Sequence, residues 1–221
     1  MQIRQSKARE ISWAEIKAMA ENQEAEDYLN PFDEIDITLE NGETATVVVA
    51  QIITTTWDQP DTIRFVFKDC LDEEHRMNRK LTNAGGWPAC ECRTYLRDTI
   101  LPNLPADLQA VIKPRTITCV VDGETVTCED CLWLCSETEV FGIGNESWNN
   151  GAGDGHDETQ MPIFMTERNR VKMRKGCGTW PWFLRSQRAT NAAYFCLVNT
   201  NGGASSNNAN VSYGVAPGFD I

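Results

Sequence analysis

Trp182-Phe183-Leu184-Arg185-Ser186 and Val215-Ala216-Pro217-Gly218-Phe219 bracket the stretch that decides the reading of this chain. Residues 187–213 lie between them, and six of these 27 are asparagine: Asn191, Asn199, Asn201, Asn207, Asn208 and Asn210. The same stretch carries one charge, Arg188. Each Asn amide offers donors and an acceptor without a charge. Tyr194, Phe195 and Tyr213 are interleaved with them, and Trp180 and Trp182 stand just upstream. Tyr, Ser, Gly and Asn make rigid or adaptable contacts at low entropic cost, as paratopes do. The flanks read as core strands, so the middle is either a displayed surface or a set of tight turns, rather than a linker. Trp180 and Trp182 either flank such a surface or fill the core.

Outward from there the composition changes. The 221 residues carry 32 acids and 20 bases, a net charge of −12. Six acids and seven bases fall from Gly142 onward, which leaves 26 acids and 13 bases in residues 1–141. A nucleic-acid surface needs clustered positive charge to displace counterions, so this balance argues against one. Hydrophobic residues make up 41%, enough to bury a core. No apolar run approaches the ~20 residues of a spanning helix, which excludes membrane insertion by helices. Charges at Arg4, Lys7, Arg9, Glu10, Glu15 and Lys17 interrupt any secretory signal, and the expectation is synthesis and folding in a cytoplasm.

Upstream, Ser12-Trp13-Ala14-Glu15 reads as a capping box, with Ile11 and Ile16 spaced as a hydrophobic staple. The pattern predicts a helix over 13–23. Residues 34–40 alternate, Asn41-Gly42 turns, and residues 44–53 return as the second strand of a hairpin. Another strand, 62–68, follows Gln59-Pro60-Asp61. Helices are expected after Gly85-Gly86, through Tyr95, Leu96, Thr99 and Ile100, and over 105–112. Residues 116–121 and 124–128 form a hairpin around Asp122-Gly123, and 132–135 a short buried strand. Strands are further expected over 180–186, 194–198, 210–213 and 215–219. Helices mixed with antiparallel hairpins, and no βαβ alternation, predict an α+β domain over 11–221 preceded by a ten-residue arm, 1–10.

Several chemistries have few residues to work with. His75 and His156 are the two histidines, and no G-x-S-x-G, phosphate-loop, dinucleotide or H-E-x-x-H signature is present. Cys119, Cys128, Cys131 and Cys135 have the number of thiolates for a zinc cage. Their alternative reading is that of small buried hydrophobes, since Leu132, Trp133 and Leu134 sit among them. Asp154, Asp157 and Glu158 supply a start for calcium, without the twelve-residue spacing of the helical-loop motif. The expectation is no cofactor and no enzyme activity, with zinc and calcium as the sites to check.

The C-terminal run Trp182-Phe183-Leu184-Arg185-Ser186, Phe195-Cys196-x-Val198-Asn199-x-Asn201-Gly202, Tyr213-Gly214-Val215-Ala216-Pro217-Gly218-Phe219 resembles the signature of a domain family common in gut bacteria and their phages. Its pattern reads W-W-L-R-S, F-x-x-V-x-x-x-G and G-V-x-P-x-F. The resemblance extends upstream through His75-x-Met77-Asn78, Thr82-Asn83-x-Gly85-Gly86-Trp87, Leu104-Pro105-x-Asp107-Leu108, Ser136-Glu137-x-Glu139-Val140-Phe141-Gly142 and Asn169-Arg170-Val171-Lys172. That family is similar to the C-type-lectin-like fold of formylglycine-generating enzymes and of the variable proteins of diversity-generating retroelements.

The resemblance implies a C-type-lectin-like domain with residues 187–213 as its variable, ligand-binding segment. Its ligand-facing positions would be Tyr194, Leu197, Thr200, Gly203, Ser205, Ser206, Asn208, Val211 and Tyr213. Phe195, Val198, Gly202 and residues 215–219 would be scaffold. It further implies a phage-encoded protein at the virion surface that recognises a bacterial receptor, protein or carbohydrate, beside other virion proteins or copies of itself. Two alternatives accompany it: a structural virion component without a ligand, and an oxidase of the formylglycine-generating type using Cys177 and Cys196.

Overall fold

Ser12 opens the first helix. Its hydroxyl accepts the Glu15 amide at 3.2 Å while the Glu15 carboxylate takes the Ser12 N–H at 2.8 Å, closing the capping box. In the computed structural model, which describes residues 11–54, 59–121, 123–142 and 158–221, helix α1 runs Trp13–Glu21 and buries Trp13, Ile16 and Ala20. It stops two residues short of the expectation because Gln23 takes a positive φ of 60°. A short α2, Ala25–Tyr28, follows.

The expected hairpin is β1 Glu34–Thr38 and β2 Thr44–Ile53, with Gly42 at φ 86° in the turn. Strand β3 is Thr62–Phe67 and β4 is the two-residue His75–Arg76. Then come α3 Glu91–Tyr95, a π-helical turn Leu96–Ile100 and α4 Ala106–Gln109. The hairpin β5 Arg115–Val121 and β6 Glu124–Asp130 leads into α5 Glu137–Phe141 and α6 Glu167–Arg170. The remaining strands are β7 Lys172–Arg174, β8 Gly178–Trp180, β9 Trp182–Gln187, β10 Tyr194–Val198, β11 Ala204–Asn208, β12 Ser212–Tyr213 and β13 Gly218–Asp220.

The mixture of helices and small antiparallel sheets is an α+β architecture. Four strands form the sheet β1-β2-β3-β13, and three form β11-β10-β9. β13 closes the first sheet by setting Phe219 opposite Phe65. Those two rings stack at 5.2 Å and Trp13 meets both edge-on at 5.5 and 6.0 Å, which ties α1 to the sheet. One continuous core runs from Trp13 to Ile221.

Three expectations are corrected. Residues 132–135 are buried but form no strand; only Trp133 bridges, to Gly218. The single strand expected over 180–186 is split at Pro181, which lacks the N–H a ladder requires, into β8 and β9. Of residues 210–213 only Ser212 and Tyr213 are extended, whereas β11 forms where no strand was expected.

The four cysteines named for zinc lie on the β5–β6 hairpin and in the segment that follows it. Cys128 pairs with Ile117 and Cys119 with Val126, two registers apart on the β5–β6 hairpin, while Cys135 is sealed beside Glu139, Lys172 and Arg185. Among the described residues no three of His, Cys, Asp and Glu are grouped to hold a metal. For calcium, Asp154 and Asp157 lie outside the described residues, and Glu158 is buried against Arg185 and Ser136. No helix among the described residues is long and apolar enough to cross a membrane.

Candidate functional site

β9 is the foundation. Trp182, Phe183, Leu184, Arg185 and Ser186 are all buried, so both of its faces are covered. β10 pairs with it and buries Phe195 through Val198, leaving Tyr194 half-exposed. β11 pairs only with β10 and forms the sheet edge, with all five residues half-exposed. Tyr194 faces Asn208, Cys196 faces Ser206 and Leu197 faces Ser205.

Both sides of β11 are braced. Arg188 donates from Nη1 to the Ser206 hydroxyl at 3.0 Å, and its guanidinium lies 5.7 Å from the Tyr194 ring centroid. Asn207 donates its amide to the Tyr213 hydroxyl at 2.6 Å, and Tyr213 meets Phe183 edge-on at 5.3 Å.

Three of the asparagines are turn-formers. Asn191, Asn199 and Asn201 each accept, through Oδ1, the backbone N–H two residues on, at 2.9 Å, and Asn207 accepts that of Asn208 at 2.7 Å. The 199–203 turn needs Gly202 at φ 91°, where a Cβ would fall 2.1 Å from the Glu167 carbonyl oxygen. The tight-turn reading fits Asn191, Asn199 and Asn201, while Asn207, Asn208 and Asn210 make no such bond to the residue two positions on.

Two residues more than a hundred positions upstream hold the segment down. Asn83 donates its amide to the carbonyls of Asn191 and Tyr194, at 2.9 and 2.8 Å, and accepts from the Gln187 side chain. Asn78 donates its backbone N–H to Ala209 at 2.8 Å. Both occur in the motifs quoted above, but no local sequence signal discloses contacts at this separation.

Thr200 and Val211 are exposed, and Tyr194, Gly203, Ser205, Ser206, Asn208 and Tyr213 are half-exposed. Leu197 is the correction: it is 3% exposed, turned to the interior opposite Phe183, and leaves the ligand-facing set. Phe195, Val198, Gly202 and residues 215–219 are buried, as scaffold must be. Trp182 fills the core, and Trp180 is half-buried with Nε1 donating to Glu74 at 2.6 Å.

Beneath this face lies a buried ionic cluster. Arg185 on β9 donates to Glu139 at 2.7 Å and to Glu158, and Arg115 donates to Glu139 from the other side. Arg64 reaches Asp220 at 3.5 Å. Burial alone would push the Glu139 carboxyl up, but the guanidinium groups of Arg115, Arg185 and Arg64 outweigh it and hold it well below the carboxylate range. The arginine of the W-F-L-R-S run is thus an internal strut.

Cys177 is exposed in the β7–β8 turn, where Arg174 donates to its sulfur at 3.3 Å, whereas Cys196 is buried in β10. A cleft of about 610 Å³ lies between the β1–β2 and β7–β8 hairpins. Lys175 pairs with Asp72 at 2.9 Å within it, and none of its lining residues belongs to 187–213.

Residues 48–221, which include both sheets' C-terminal strands and every anchor just described, match the family described as Domain of unknown function (DUF6273). The chain belongs to the DUF6273 family. No curated protein and no solved structure matches it. In this DUF6273 chain the matched region starts inside β2, so α1 and β1 precede it.

Proposed function

We propose that this chain is a non-enzymatic recognition protein whose β9–β11 sheet presents a nearly uncharged face to a receptor on a bacterial surface. The observation that carries the reading is β11: five consecutive half-exposed polar or small residues on an edge strand, hydrogen-bonded to a strand that is buried from Phe195 to Val198. A surface ordered beforehand loses less entropy on binding. The side chains at Ser205, Ser206 and Asn208 stand on that support without forming the core, which permits them to change while the fold is kept.

The resemblance to variable proteins of diversity-generating retroelements supports the same face. It extends the reading to a C-type-lectin-like, phage-encoded protein carried on a virion. The oxidase alternative requires two thiols that act together, and burial of Cys196 with exposure of Cys177 in another sheet argues against it. A purely structural virion component would bind particles at saturating stoichiometry and leave host cells unbound.

The test is binding of labelled protein to candidate host cells, comparing the native chain with Asn208→Arg and Val211→Arg. Both substitutions place a bulky charge on the face without touching the core. Loss of at least about tenfold in affinity with an unchanged melting temperature is expected. Unaltered binding by both variants overturns the reading.

A further inference from the structure

One strand away from the face is a cavity of about 420 Å³. The ladder of β4 with β12 sets Tyr213 opposite His75 and Ser212 opposite Arg76, so cavity and face share a border. Inside it, the His75 and Tyr95 rings stack with centroids 4.0 Å apart and planes 6° from parallel. Tyr95 ends α3 where the helix widens into the π turn, an irregularity often found at functional sites.

The polar atoms of this stack have defined roles. His75 Nδ1 lies 2.6 Å from the Arg76 carbonyl oxygen. A carbonyl only accepts, which assigns the proton to Nδ1 and leaves Nε2 of the neutral ring as an acceptor. Burial pulls His75 below the ordinary imidazole range and so favours that neutral ring. Burial also pushes the Tyr95 hydroxyl up to about 12, which keeps it a donor. Neither Nε2 nor this hydroxyl has a hydrogen-bond partner among the described residues.

Around the stack the lining is rich in acceptors: the carboxylates of Glu91 and Asp98 and the hydroxyls of Thr94 and Thr99. Arg79 pairs with Glu91 at 3.4 Å and Arg97 with Asp98 at 2.6 Å. Arg76, exposed at the rim, has no carboxylate partner among the described residues. Many acceptors call for a ligand with many hydroxyl donors. An aromatic face, with its negative quadrupole, suits the polarised C–H face of a sugar ring. A single unpaired guanidinium suits a single acid group. A phosphate dianion would meet two carboxylates in a chain of net charge −12, which disfavours it.

We propose that this cavity binds an acidic sugar residue, a uronic-acid-type ring packed against the His75–Tyr95 pair with its carboxylate on Arg76. The proposal names the ligand class for the recognition face and rests on that reading for the ligand's origin in a surface polysaccharide.

The test is an NMR titration of the folded chain with D-glucuronic acid, D-glucose and adenosine monophosphate, following the His75 imidazole signal. Glucuronic acid is expected to shift it at least about tenfold more readily than glucose, and Arg76→Gln to erase that preference with the melting temperature kept. Tyr95→Phe is expected to weaken both sugars while the ring stack persists. Equal binding of the two sugars, an unmoved His75 signal, or a response to the nucleotide alone overturns the proposal. If His75 stays silent while Asn208→Arg still abolishes cell binding, the sugar site fails and the recognition face survives. If His75 responds while cell binding ignores Asn208→Arg and Val211→Arg, the face fails and the sugar site survives.

Discussion

Arg185 Nη1 lies 2.7 Å from Glu139 Oε2, with the two side chains 2% and 0% exposed. Arg185 belongs to β9 and Glu139 to α5, so this pair locks the sheet under the recognition face to a helix 46 residues earlier in the chain. The same carboxylate takes Arg115 from β5. Such a cluster is a weak source of net stability, but breaking it is costly because the remaining charges are left buried.

Glu139→Gln should therefore destabilise the chain by about 3–5 kcal/mol, read from chemical denaturation. The pH dependence follows from the sign of the shift. The Glu139 carboxyl is depressed in the folded state, so its contribution is present above the unfolded value of about 4.3 and is lost as pH falls below it. Asp220, raised by burial, opposes this: its contribution is present at low pH and lost as pH rises through its raised value. The native chain should lose stability on acidification, and Glu139→Gln should flatten that slope.

Tyr213 and Phe219 should separate in a stability assay. Phe219 is fully buried between Phe65 and Trp13, and its replacement by Ala should cost about 3–5 kcal/mol. Tyr213→Phe removes only the hydroxyl that accepts from Asn207 and should cost about 1 kcal/mol. Tyr213→Ala is a poorer probe of recognition than its sequence position suggests, since it also strips the ring from Phe183.

Receptor binding should weaken by less than about tenfold between about 50 and about 300 mM salt, because Arg188 is the single charge within residues 187–213. A Kd series in sodium chloride checks this. A steeper loss would place the contact on another, more charged surface.

Thiol reactivity should single out Cys177. It alone is classed as exposed among the nine cysteines, while burial pushes Cys70, Cys90, Cys128 and Cys135 up to about 12. Disulfide-exchange reagent should label Cys177 first in the native protein and the buried thiols only on unfolding. A Cys177→Ser variant should abolish the fast phase.

What sequence discloses here is what local physics decides. The Ser12 capping box, the Asn41-Gly42 hairpin and β10 are all legible because the cap, the turn and a short run of aromatic and apolar residues each lie within a few positions. Ser136 and Glu139 use the same capping grammar for α5, but in five residues, three of them polar yet buried, no apolar stripe marks it as a helix. β11 was illegible for the opposite reason. Ala204-Ser205-Ser206-Asn207-Asn208 has no β-branched or aromatic residue, and only its partner β10 makes it a strand.

The candidate site divides in the same way. Its exposed residues could be placed by composition and resemblance, but Leu197 could not, because β10 is covered on both faces and alternation loses its meaning there. Asn78 and Asn83 act over more than a hundred residues, and the buried role of Glu158 is set by Arg185 and Ser136 from elsewhere in the chain.

β13 has a temporal consequence. It completes the sheet by lying along β3, with Phe219 on Phe65 and reciprocal bonds between Ile63 and Ile221. Until residues 218–221 are available, β3 is left with an open hydrogen-bonding edge and an unroofed aromatic cluster. The pairing spans about 150 residues of sequence, so the sheet forms only after everything from β3 to β13 has been synthesised, and a slow, non-local closing step follows.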